Sequence, residues 1–212
     1  MGKRQQSYYE PCDKAIRAMD RESVEAFGQL KMAKWDRVNV IRTVVTVYRT
    51  SVKKARRRYY EVAFEAYVLA LLLLGEKVQK AQEMADKAIT MKWVDEVMDQ
   101  TDFVTMYRFN SEAERKAYRL AEQLEVSPDR NRLIDRALRD WTKQLGQYAI
   151  KFTDEAVVQA FKDAGVKRVQ WLTEEDEKTC HACNELHGME FPINEIPPKP
   201  HYGCRCMLKP IR

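Results

Sequence analysis

The sequence predicts a mainly α fold: an elongated multi-helix body over residues 1–150, then a small C-terminal α+β unit over residues 151–212. Three observations predict it. No proline occurs between Pro11 and Pro128, and only Gly28 and Gly75 interrupt a run of good helix formers there. Apolar residues in that stretch recur every three or four positions, the helical period. After Gly165 the pattern becomes loop-rich, with five of the seven prolines beyond residue 190 and four of the five cysteines between Cys180 and Cys206.

The elements follow in order. Trp35, Val38, Ile41, Val45, Tyr48, Val52, Ala55, Tyr59 and Val62 line one face of a long helix. The opposite face is cationic, with Arg42, Arg49, Lys53, Lys54, Arg56, Arg57 and Arg58. Gly75 is placed to stop this rod, and a second helix is expected through Met84, Ala88, Met91, Val94 and Met98. Ser111 with Glu114 reads as a capping box before Arg115 to Leu124, and Ser127-Pro128-Asp129 opens a helix through Trp141 and Leu145. Thr153 and Asp154 are expected to cap a further short helix that ends at Gly165. Val166 to Trp171 alternates like a short strand, and no fixed-period repeat points to a solenoid.

Composition narrows the function classes. The net charge of +5 sits in the N-terminal third, where residues 1–75 hold 15 Lys/Arg against 8 Asp/Glu, while residues 151–212 hold 9 against 10. Clustered cations favour an acidic partner, nucleic acid or protein. The opening MGKRQQSYYEPC lacks the apolar core of a secretory signal, so the chain is expected to remain in the cytoplasm. Its most apolar stretch, Val62 to Leu74, is 13 residues long and contains Glu65, whereas a bilayer span needs about 20 apolar residues. It reads as a buried helix.

The chemistry lies in the C-terminal cysteines. Cys180-His-Ala-Cys183 is followed, after seventeen residues, by His201-Tyr-Gly-Cys204-Arg-Cys206. Two ligand pairs separated by a loop are what tetrahedral zinc requires, because each short turn aims two donors at one point and the loop brings the second pair across. Cys180, Cys183, His201 and Cys204 are the candidate ligands. Cys206 is a rival for the fourth position, since residues two apart on an extended chain point the same way. A shell filled by protein makes the zinc structural, a staple for a unit too small to bury much apolar surface. The bland reading is reduced, half-buried thiols, and a redox role lacks the βαβ setting it would need.

Other candidates carry less. The acidic run Glu174-Glu175-Asp176-Glu177 is read as a solvated turn without function, and His181 and His187 as surface groups or supports of the metal ligands. The cationic ridge Lys53, Lys54, Arg56, Arg57 and Arg58, with Tyr59 and Tyr60, is a candidate nucleic-acid surface or else a solvated helix face with its tyrosines in the core. No GxSxG, phosphate-cradling glycine loop or HExxH is present, so no catalytic residue is assigned.

Ala164 to Trp171, Asp176 to Cys183, Leu186-His-Gly188, Phe191 and Pro200 to Cys206 together form a wider pattern of Trp, CxxC, Leu-x-Gly, Phe and His-x-x-Cys-Arg-Cys. It resembles the phage Mu F-like minor head morphogenesis family. Trp93-Val-Asp-Glu-Val, Val104-Thr-Met-Tyr and Glu114-Arg-Lys are similar to a subgroup of phage minor head proteins, with lower specificity. The resemblance implies a structural minor head protein of a tailed bacteriophage. It would be assembled in the host cytoplasm and kept in the virion, inside the head near the portal vertex. Its implied partners are the phage portal protein and other head proteins, with no membrane and no small-molecule substrate. Contact with the double-stranded phage DNA, in packaging or delivery, is left open. Some members carry a fused toxin or enzyme domain; none is expected within these 212 residues. The alternatives are a zinc-knuckle DNA-binding protein, which the acidic C-terminal unit disfavours, and a zinc-dependent nuclease, for which only His181 or His187 could act as base.

Overall fold

The computed structural model describes residues 9–33, 37–100, 108–173, 179–201 and 203–211. Trp35, the acidic run and the Val104 motif lie outside them. Among the described residues the chain forms α1 (Glu10–Lys31), α2 (Arg37–Leu73), α3 (Val78–Ala88), α4 (Met91–Asp99), α5 (Phe109–Val126), α6 (Arg130–Asp163), β1 (Arg168–Leu172), α7 (His181–Leu186), β2 (Glu190–Pro192) and β3 (Met207–Ile211). The fold is mainly helical, as expected, with one small C-terminal sheet.

Two compact units form, each from several chain segments. One joins residues 14–59 and 91–149, the other residues 1–13, 60–90 and 150–212. The first has an aromatic core. Trp141, Tyr59, Tyr148, Phe27 and Phe109 are fully buried there. Phe109 stacks on Trp141 with ring centroids 5.6 Å apart, and Tyr48 meets Trp141 edge-on at 5.0 Å. The polar ends of two of these rings are satisfied, as burial favours. The Trp141 indole donates to Ser51 Oγ at 2.7 Å and the Tyr59 hydroxyl to the Leu145 carbonyl at 3.1 Å.

The second unit packs Ala63, Ala66, Tyr67, Ala70 and Leu71 of α2, with Phe152, Ala156, Ala160 and Phe161 of α6, all buried. Tyr67 donates to Asp163 at 2.6 Å. The sheet, of order β2-β1-β3, is antiparallel throughout, with Val169 opposite Phe191 on one side and Pro210 on the other. Val169 and Trp171 point inward from β1.

Several elements differ from expectation. On α2, Val38 and Ile41 are 73% and 38% exposed, and Val40, Val44 and Val47 are buried instead. Two interleaved sets of valines satisfy the helical spacing at this end. A strict seven-residue stripe also drifts about 20° per heptad around a straight helix, so the stripe that enters the core at Ala55 and Tyr59 has rotated out by Val38. The helix expected through Met84 to Met98 is two helices, because the backbone turns extended at Ile89, whose side chain is buried. The α5 helix begins at Phe109 with Arg108 as its N-cap, so Ser111 lies inside the first turn and forms no capping box. Thr153 and Asp154 cap nothing, because α6 runs through them without a break and buries Thr153 in its interior. The ends at Gly75 and Gly165 fall where expected, both at positive φ. After Gly165, the Val166 amide reaches the Phe161 carbonyl at 2.9 Å and the Gly165 amide the Lys162 carbonyl at 2.9 Å, the paired bonds that close a left-handed helix end. Asp129 does cap α6, accepting from the Arg132 amide at 3.3 Å.

Candidate metal centre

Sheet register assembles the cysteines. Leu172 at the end of β1 lies opposite Met207, so Cys206 and Cys204, just before β3, are delivered beside the end of β1. Cys180 is the N-cap of α7, and its sulfur accepts from the Cys183 amide at 3.4 Å. Gly188, at φ +79, then turns the chain back along β1, its amide bonded to the Trp171 carbonyl at 2.8 Å. The loop between β2 and β3 supplies His201.

All five candidate donors meet around Cys183. Its sulfur lies 3.3 Å from His201 Nε2 and 3.5 Å from the Cys204 sulfur. The donor atoms of Cys180, Cys183 and His201 lie within 4.8 Å of one another, as do those of Cys183, Cys204 and Cys206. Tetrahedral zinc with Zn–S bonds of about 2.3 Å would hold its sulfurs about 3.8 Å apart, so these clusters could hold such an ion. Cys183, Cys204 and Cys206 are buried, Cys180 is half-buried and His201 exposed. The Cys206 thiol, with the ammonium of Lys199, pulls the Cys204 thiol down to about 5, while Cys206 itself is pushed up, mainly by the neighbouring Cys204. Cys12, the fifth cysteine, is buried on α1 outside both clusters.

A polar network that sequence reasoning missed braces the Cys204–Cys206 turn. Tyr9 donates to Asp154 Oδ1 at 2.8 Å and also approaches the Cys206 carbonyl at 3.3 Å. Lys199 bonds the same carbonyl, lies 3.4 Å from Asp154 Oδ2, and sits 5.4 Å from the Trp171 ring centroid. Arg205 makes a two-pronged pair with Asp13 at 2.6 and 3.2 Å and covers the Tyr9 ring. Burial is the main cause that raises Asp154 to about 6; Lys199 and the Tyr9 hydroxyl oppose it. Tyr9 and Asp154 lie 145 residues apart, and no local pattern links them.

The histidines outside the cluster are accounted for. His187 Nδ1 accepts the Thr173 amide at 3.2 Å and lies 2.8 Å from its hydroxyl, and exposed His181 lies 3.5 Å from Glu185. The cationic ridge is divided. Arg56 pairs with Asp95 and Arg58 with Glu22, whereas Lys53, Lys54 and Arg57 are exposed; Tyr59 is in the core and Tyr60 half-buried. Among the described residues no helix is long and apolar enough to cross a membrane.

These features define a helical protein that ends in a small sheet unit carrying a Cys/His cluster. Residues 14–209 match the family described as Phage Mu protein F like protein, and the chain belongs to that family. No curated protein and no solved structure gives a significant match to it.

Proposed function

We propose that the chain is a structural minor head protein of a tailed bacteriophage, a head morphogenesis component that joins the portal and other head proteins and remains in the virion near the portal vertex. The family match over residues 14–209 carries this reading. In this reading Cys180, Cys183, His201 and Cys204 hold one zinc ion, with Cys206 the rival for the fourth place, and residues 151–212 are a unit that the ion staples. The fit rests on the donor chemistry: two three-donor groups, Cys180–Cys183–His201 and Cys183–Cys204–Cys206, share Cys183, and thiolates and imidazole are the donors that tetrahedral zinc takes. Zinc there would cross-link the two Cys-bearing turns and hold the thiols as thiolates. The network of Tyr9, Asp154 and Lys199 would keep the second turn in place.

A role without catalysis is the simplest account of these residues. A closed shell offers no position for water or substrate. His187 already accepts from Thr173, which favours structure over the nuclease alternative. Lys53, Lys54 and Arg57 keep α2 a candidate DNA surface, with the double-stranded phage genome as the partner, and the ion pairs of Arg56 and Arg58 reduce what the ridge as a whole can offer.

The test is co-expression with the portal protein of the same phage. Co-purification with the portal ring at high salt supports the reading. Failure to co-purify, together with salt-sensitive DNA binding by the free protein, would replace it with the DNA-binding alternative.

A further inference from the structure

Between α5 and α6, within the unit built from residues 14–59 and 91–149, lies a polar cleft of about 110 Å³ lined by Arg115, Lys116, Arg119, Arg136, Gln123 and Asp140 among others. Its cations come from two helices. Arg115, Lys116 and Arg119 follow one another at one- and three-residue steps near one face of α5, and Arg136 faces them from the second turn of α6.

The charges do not balance locally. Buried Glu112 takes both prongs of Arg115, at 2.7 and 2.8 Å, and lies 4.0 Å from Lys116. Lys116 is mostly covered, and its ammonium also donates to the Asp140 carbonyl oxygen at 3.4 Å. Arg119 and Arg136 are exposed and have no carboxylate partner among the described residues. Four cations therefore face two carboxylates, Glu112 and Asp140. Burial lowers the Lys116 pKa, Arg115 and Lys143 add to that, and the two carboxylates only oppose it.

We propose that this cleft is an anion site that takes a phosphate group. Its excess of two positive charges matches a phosphate better than a carboxylate. Guanidinium forks on opposite walls suit several oxygens around one centre, which a planar carboxylate does not present. The cleft has room for one oxyanion with its bound waters. The phosphate is either free or part of a nucleic-acid backbone. The site differs from the α2 ridge, whose residues do not line it.

The experiment uses the full chain and two probes, inorganic phosphate by calorimetry and a short fluorescent DNA duplex by anisotropy over a salt series. Arg119→Gln/Arg136→Gln removes the two arginines without a carboxylate partner. Arg132→Gln/Arg139→Gln, exposed on the same α6 helix and outside the cleft, makes the same change in net charge. The first pair is expected to weaken phosphate roughly tenfold and the second to leave it within about twofold. Asp140→Asn is expected to tighten it, a gain that general loss of structure would not produce. A matching loss of duplex binding, with the salt slope reduced by about two, identifies the backbone phosphodiester as the source. Loss of inorganic phosphate alone identifies free phosphate. If neither probe responds to Arg119→Gln/Arg136→Gln, or both pairs act equally, the site does not exist.

Discussion

The Tyr9 hydroxyl donates to the Asp154 carboxylate at 2.8 Å, joining the chain just before α1 to the C-terminal half of α6 beside the turn that carries Cys204 and Cys206. A hydrogen bond to a buried charged group contributes about 1.5–3 kcal/mol. Tyr9→Phe removes the hydroxyl and keeps the ring under Arg205. Urea unfolding at neutral pH should show a loss in that range. A change under about 0.5 kcal/mol would mean that Lys199 alone satisfies Asp154.

Asp154 also gives the fold a pH dependence of definite sign. Burial raises its pKa from 3.8 to about 6, so between those values the folded state keeps a proton that the unfolded chain has lost. Its contribution is complete below about pH 4 and is lost as pH rises through 6, on the order of 2–3 kcal/mol at 1.36 kcal/mol per unit. The stability difference between the wild type and Asp154→Asn should fall across that window in the wild type's disfavour. The difference carries the titration of Asp154 together with its coupling to nearby Cys204, whose charge helps to raise it. A pH-independent difference would show that Asp154 stays ionised throughout.

Under the proposed zinc assignment, the fourth ligand can be read from metal content. Cys183 touches both His201 and Cys204, so Cys183→Ser should abolish zinc binding. Of the two rivals, Cys204→Ser is expected to lose the ion. Cys206→Ser should retain it with affinity weakened roughly 10–100-fold, as for a group that supports a ligand. Mass spectrometry of the native protein distinguishes them, and the reverse pattern would make Cys206 the ligand.

In the aromatic core, Ser51→Ala leaves the buried Trp141 indole without its acceptor. The expected cost is about 1–3 kcal/mol by thermal or urea unfolding. With Trp141→Phe in a double-mutant cycle, the two losses should be non-additive by about the worth of the shared bond, the rest of the Trp141→Phe loss being packing against Phe109 and Tyr48.

Gly165→Ala separates backbone strain from packing. The glycine sits at φ +76 with nothing within 4 Å of a methyl group added there. The expected loss is about 1–2 kcal/mol from the left-handed backbone alone. A larger loss would point to a shifted helix end.

Much of this protein was legible in one dimension. The missing prolines and the helical period determined the mainly α body, and positive-φ glycines ended α2 and α6 where a left-handed residue was needed. The spacing of Cys180, Cys183, His201, Cys204 and Cys206 marked the cluster, because short turns aim their donors locally and any compact packing of the loop brings the pairs together. Tertiary structure decided what periodicity leaves degenerate. The choice of Val40, Val44 and Val47 over Val38 and Ile41 as the buried face was made by tertiary packing, since both sets fit the helical period. Thr153 and Asp154 have the local chemistry of a cap, but burial of Thr153 and the Tyr9 bond hold them inside a continuous helix. Arg56 and Arg58 read as part of a cationic ridge until Asp95 and Glu22 neutralised them. The cleft of Arg115, Lys116, Arg119 and Arg136 draws on two helices, and only their packing concentrates its charge. Local sequence sets backbone preference and the period of burial, whereas pairing between distant charges depends on three-dimensional distance, which the order of residues does not encode.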